Sequence, residues 1–188
     1  MSRRRLIWIT RSAVLIALVV TVQAATIVLA AIPMLRQYVT GSVVNMILIV
    51  SVMAAGIPTG LSVGIISPIF ASLMGVVPGW QWPLVPFIAL GNVMLVLVWH
   101  LIGKRSIVNK YVTRCVTVGV AAIVKFLVLY IGIVQVMLHV LELQQPQIVA
   151  LSATFSITQI FTAIIGGILA TLVLPVILKA NRSDSPTG

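Results

Sequence analysis

Acidic side chains are almost missing from this sequence: Glu142 and Asp184 are the only two carboxylates in 188 residues. Charge of either sign is scarce at 7%, while 61% of the residues are hydrophobic. A soluble domain carries about 25% charged and about 45–50% apolar residues. So few charges cannot build a water-facing surface, and the sequence reads as an all-α integral membrane protein. Cysteine is nearly absent too. Cys115 stands alone, which excludes an internal disulfide, a CxxC redox pair and a thiolate metal cluster. It reads as a small residue facing lipid or a neighbouring helix.

These shortages also bear on function. No two carboxylates fall inside apolar runs, there is no HExxH, and no nucleophile–base pair has recognisable spacing. A membrane protease or lipid-modifying enzyme needs an activated nucleophile or a metal. The expectation is therefore no catalytic residue, no metal site and no cofactor in this chain. Proton- and sodium-coupled carriers place carboxylates within their helices as relays, and the apolar runs contain none. No internal repeat is evident, which argues against a carrier built of inverted repeats.

Basic residues are what the chain does have. Twelve Lys and Arg give a formal charge of +10, but they cluster in short segments beside apolar runs. That follows the positive-inside rule rather than a nucleic-acid-binding face. The start, "MSRRRLIWITRSAVLIALVVTVQAA", imitates a signal peptide, with "VQA" as a cleavage-site mimic. Its apolar run continues past the roughly 7–15 residues of a signal core, so it reads as a retained first helix.

A spanning helix needs about 20 largely apolar residues. By that ruler six spans are expected, near 12–31, 41–55, 60–77, 84–103, 115–139 and 148–178. The second and third are short and separated by the turn "GIPTG". Three basic groups then fall on one side: Arg3, Arg4, Arg5 and Arg11; Lys104, Arg105, Lys110 and Arg114; Lys179 and Arg182. Both termini are expected in the cytoplasm. A single membrane domain over 1–180 and a polar, disordered tail over 181–188 complete the expected organisation.

Two cations do not fit the topology. Arg36, in "AAIPMLRQYVTG", is expected in the first external loop. Lys125 is expected about ten residues into the fifth span, roughly 15 Å deep at 1.5 Å per residue, and an ionisable residue there is a functional candidate. On an α-helix, Gly132 and His139 share its stripe, with Gln135 at the margin. His139, a lone histidine near a helix end, reads rather as an interfacial group. Asn92 and Gln159 are buried-amide candidates, for a ligand or for bonds between helices. Asn45 reads as a packing bond, and Trp80 and Trp82 as an aromatic belt or a pocket wall. Ser67-Pro68, Gly91-Asn92 and Gly166-Gly167 interrupt the runs as a packed bundle with an interior would allow. Ala13 and Ala17, four apart in "RSAVLIAL", permit close approach of another helix.

Several stretches carry a family resemblance: "AVLIA", "YVTGSVVN", "GLSVGIISPIFASLMGVVP" and "PLVPFIALGN". In that order and spacing the chain resembles the substrate-binding S components of energy-coupling factor (ECF) vitamin transporters, over nearly its whole length. The resemblance implies the six-helix ECF S-component fold in a prokaryotic cell membrane and no catalysis in this subunit. Implied partners are a transmembrane coupling protein and two cytoplasmic ATPases, with Ala13 and Ala17 matching the family's AxxxA docking motif. The ligand would sit near the external face, under the first external loop and against the fourth to sixth helices. On that basis Arg36, Tyr38, Asn92, Lys125 and Gln159 are the expected substrate-binding residues.

Two unpaired cations with no intramembrane acid favour an anionic ligand. A thiamine-like cation would want a carboxylate or an aromatic cage, and folate would want stacking aromatics, which make up 6% of the chain. Pantothenate carries one carboxylate plus hydroxyls and an amide that Asn and Gln can satisfy, and the sequence looks most like pantothenate-type members. Cobalamin, riboflavin, folate or a queuosine precursor are the alternatives within the family. A solitary carrier or structural bundle is the alternative outside it.

Overall fold

A computed structural model describes residues 3–75, 79–105 and 109–183. It contains α1 (Arg3–Ala25), α2 (Pro33–Val50), α3 (Ile57–Leu73), α4 (Val85–Val98), α5 (Lys110–Leu129), α6 (Leu138–Val140), α7 (Gln145–Phe155) and α8 (Ile157–Ser183). Among the described residues there is no strand. Among the described residues, five helical stretches are long and apolar enough to cross a membrane: Arg5–Leu29, Pro33–Ala55, Gly79–Gly103, Lys110–Val136 and Gln145–Asn181. The apolar helix Ile57–Leu73 is shorter, at 17 residues. Large apolar side chains such as Val28, Leu73, Leu172 and Val176 are exposed along these stretches, as a multi-pass membrane protein facing lipid requires.

α1 and α3 run in the same direction, Ser12 bonding Thr59 near one end and Gln23 bonding Ser67 near the other. α2 packs on α8 and α1, α3 on α4 and α1, and α5 on α4 and α8. The "GIPTG" stretch turns at Gly56, whose φ of 96° suits glycine, and α3 begins with Pro58 in its first turn, where a missing N–H costs nothing.

Several boundaries differ from expectation for local reasons. α2 begins eight residues early because Pro33 occupies its first turn, so Arg36 lies on a helix and not in a loop. α5 begins at Lys110, capped by the Asn109 side chain; Lys125 is therefore about 15 residues, or roughly 22 Å, along it. The sixth expected span is two helices, parted at Ser156 (φ −101°, ψ −127°). Side chains re-cap the carbonyls freed there: Thr158 Oγ1 donates to Ala153 O at 2.7 Å, and Gln159 Nε2 to Thr154 O at 3.0 Å. α8 continues past 181, with Asn181 Nδ2 donating to Ala54 O at 3.4 Å; of the expected disordered tail, 184–188 lie outside the described residues.

Gly91 and Gly166-Gly167 are not breaks but contact points. A Cβ at Gly166 would lie 2.6 Å from Asn45 Cβ and from Ser42 O, and one at Gly167 would lie 2.8 Å from Val118. A Cβ at Gly91 would lie 2.9 Å from Leu129. Small residues at such seams let helices approach where lipid supplies no hydrophobic drive.

Candidate functional site

At the end of the bundle where α1, α3 and α5 finish and α2, α4 and α8 start, a cavity of about 420 Å³ opens. The opposite end gathers Lys104, Arg105, Lys110 and Arg114 around a separate basic hollow beside Met53 and Leu178. The cavity therefore lies at the end away from these basic residues. Its volume falls in the range of about 300–1,000 Å³ usual for small-molecule sites.

Lys125 reaches this cavity from α5. It is only 5% exposed, and its Nζ donates to Asn45 Oδ1 at 2.6 Å and to Asn92 Oδ1 at 2.8 Å. Pro68 explains how Asn92 comes to be aimed. A proline in a helix supplies no N–H to the carbonyl four residues before it, here Gly64. Asn92 Nδ2 donates to that carbonyl at 3.2 Å, which turns Oδ1 towards the ammonium. α3 and α4 meet here in ordinary contact, a Cβ at Gly64 lying 3.5 Å from Asn92. On the other side Gly166 brings α8 against Asn45. Proline, glycine and amides so arranged hold an ammonium with two neutral oxygens and no carboxylate. An ammonium has three donors, and these bonds use two of them.

Three residues of the lining each carry a buried side-chain atom without a partner. Asn45 Nδ2, Gln23 Oε1 and Arg36 Nη2 are buried atoms with no hydrogen-bond partner among the described residues, and all three residues line the cavity. Buried polar groups are ordinarily satisfied; Ser42 Oγ, Trp99 Nε1 and His100 Nδ1 are also unpaired among the described residues but lie outside the lining. Of the three in the lining, two are donors and one an acceptor. Glu142 is exposed and not in the lining, and the cavity wall contains no carboxylate.

Of the expected binding residues, the structure brings Arg36, Asn92, Lys125 and Gln159 together around the cavity. Tyr38 does not join them: it is half-buried on α2 and outside the lining. The stripe expected along α5 also fails beyond Lys125. Residues Tyr130–Met137 are π-helical, which shifts every later side chain around the axis. His139 is exposed, and Gln135 is exposed and donates to Tyr130 Oη at 3.1 Å. Gly132 abuts Phe87, where a Cβ would lie 2.4 Å from the ring. Trp80 and Trp82 are both exposed, and it is Gln81 between them that lines the cavity.

Sequence reasoning missed Gln23, Gln37, Thr40, Gln81 and Thr154, all of which line the cavity. One signal was readable for Gln23 and Asn45. A buried lysine in a chain without intramembrane acids must be met by neutral oxygens, and few amides lie in the spans. Among the described residues no group of three or more His, Cys, Asp or Glu is placed to hold a metal. Ala13 and Ala17 are exposed on the outward face of α1, while Ser12 and Val19 are buried on its inner face. Comparison with protein-family models, with curated proteins and with solved structures finds no match.

Proposed function

We propose that the protein is the substrate-binding S component of an ECF-type vitamin importer, taking up a small organic acid, with pantothenate the first choice. The observation that carries the reading is Lys125, held at the cavity by Asn45 and Asn92, with a second cation, Arg36, lining the same space and no carboxylate opposing either. A carboxylate ligand supplies the missing negative charge and accepts the open donors, in charge-assisted bonds stronger than neutral ones. Neutral amides and hydroxyls of the wall satisfy the remaining polar groups. By the positive-inside rule the basic end is cytoplasmic, so the cavity opens towards the exterior. Six spans are counted, with Ile57–Leu73 as the short one, and both termini lie inside. The chain itself is not an enzyme; ATP is hydrolysed by partner subunits, which reach it through a coupling protein docked on α1.

The test is to purify the chain in mild detergent, identify any co-purified small molecule by mass spectrometry, and titrate pantothenate. Lys125→Met is expected to weaken binding about 100-fold, as loss of a charged hydrogen-bonding group does. Arg36→Gln, which leaves the Lys125 cluster intact, is expected to cost about tenfold. Retention of a different vitamin with the same dependence keeps the S-component reading and changes the ligand. A wild-type chain that binds no vitamin in a panel returns the reading to a solitary carrier or structural bundle.

A further inference from the structure

Gln23 brings α1 into the cavity wall, and its two amide atoms are in opposite circumstances. Nε2 donates to the Ser67 carbonyl at 3.3 Å, whereas Oε1 is buried without a partner among the described residues. The residue is 4% exposed, so bulk water does not serve this oxygen. Nor can the amide turn over. That would set Oε1 against the Ser67 carbonyl oxygen, acceptor facing acceptor, and lose the one bond it makes. The residues of the lining therefore combine one unpaired acceptor, Gln23 Oε1, with two cations, Lys125 and Arg36, and the amide donor Asn45 Nδ2.

We infer that Gln23 is a specificity-determining residue, whose Oε1 accepts a hydrogen bond from a hydroxyl or amide N–H of the ligand. This rests on the anion-binding reading above and narrows it. The ligand is an acid that also carries a neutral donor, and a plain alkyl carboxylate is rejected because it leaves Oε1 buried and unpaired. A site built to meet a ligand donor discriminates strongly against the analogue lacking it.

The experiment is a cycle between protein and probe. The probes are pantothenate, the analogue with both hydroxyls replaced by hydrogen, and that analogue with its amide nitrogen methylated. Each is titrated into the full-length wild type and Gln23→Met by calorimetry in detergent. In the wild type, one of the two deletions is expected to weaken binding about 5- to 100-fold; in Gln23→Met the same deletion costs nothing. Full affinity of the variant for the donor-less probe shows that it is folded, and Gln23→Leu replaces it if the methionine variant is not recovered. Equal weakening of every probe by Gln23→Met, or no weakening of any, overturns the inference while leaving the anion site standing.

Failure of the underlying reading gives a different pattern. If wild type ignores pantothenate, the molecule that co-purifies with it decides. An uncharged compound bearing O–H or N–H and lost from Gln23→Met upholds Gln23 and removes the anion. A compound with no such donor overturns Gln23. A chain that neither binds pantothenate nor carries any small molecule overturns both.

Discussion

Towards the basic end of the bundle Val52, Leu95, Val96 and Trp99 are fully buried, and a Cβ at Gly60 would lie 2.9 Å from Val52 and 3.0 Å from Val96. Between these helices the packing is tight, and the basic hollow beside Met53 and Leu178 lies at its edge. At the other end the core dwindles to a small cluster around Leu84, Leu129, Ile133, Leu151 and Phe155, beside a cavity of about 420 Å³. Both ends draw on the same kinds of apolar residue, so hydrophobicity does not separate them. They differ in where the amides and cations are. The basic end keeps its cations in exposed positions such as Lys104, Arg105 and Lys110; the cavity end buries Lys125 and surrounds it with amides. A membrane protein can close an apolar core by van der Waals packing alone, so a buried ammonium marks the cavity end as the candidate functional one.

The strongest way to break the contrast is at the seam that supports it. In Gly166→Leu the new Cβ would meet Ser42 O, a backbone atom, at 2.6 Å, so α2 and α8 must part. The expected result is no monodisperse protein on size exclusion in detergent. A stable, ligand-binding Gly166→Leu protein would show the seam to be looser than this packing implies. Next in size is Asn92→Leu. It strips an acceptor from Lys125 and a donor from the Gly64 carbonyl, losing two bonds of 2.8 and 3.2 Å. A cost of about 2–5 kcal/mol is expected, since one of the bonds is to a charged group. Unfolding in mixed micelles, read by circular dichroism, measures it.

How far the sequence reveals this site depends on which residue is asked about. Lys125 and Arg36 were conspicuous because every other cation obeyed topology, and Asn92 and Gln159 because polar amides in apolar runs are few. Asn45 looked like a packing bond, and it is a hydrogen-bond partner that also lines the cavity. Its role became visible only when folding set it against Lys125, 80 positions away. Gln23 was hidden by a cleavage-site mimic. The stripe that joined Gly132 and His139 to Lys125 assumed a regular 3.6-residue period, and nothing local in "YIGIVQVM" announces that Tyr130–Met137 is π-helical; His139 itself is exposed. Pro33 was the readable reason for α2 to start early, yet the polar "RQY" beyond it looked like loop. Apolar runs therefore expose the architecture, while a site assembled from five or more helices depends on register that periodicity alone does not carry.

Smaller effects sharpen the comparison. Ala121, 1% exposed, lies in the main core, and Ala71, 5% exposed, lines the cavity. Ala121→Leu is expected to destabilise by about 1–3 kcal/mol through overpacking. Ala71→Leu has empty space to enter, so it should unfold close to wild type while abolishing pantothenate binding. Equal destabilisation by the two would mean that the cavity end is as tightly packed as the other.

The smallest expected effect on the bundle itself is at α1. Ala13 and Ala17 face outwards, one helical turn apart, with Ser12 on the inner face donating to Thr59 Oγ1 at 3.2 Å. A tryptophan at either outward position meets nothing within this chain, so Ala13→Trp and Ala17→Trp should leave stability and ligand affinity unchanged. If the proposed coupling protein docks there, the same substitutions block close helix approach and abolish both co-purification with the ATPases and uptake in cells. The two readouts separate what binding needs from what transport needs. Retained uptake with a tryptophan at both positions would move the docking surface off this face of α1, and lost ligand affinity would mean that α1 shapes the cavity from its outer side as well as through Gln23.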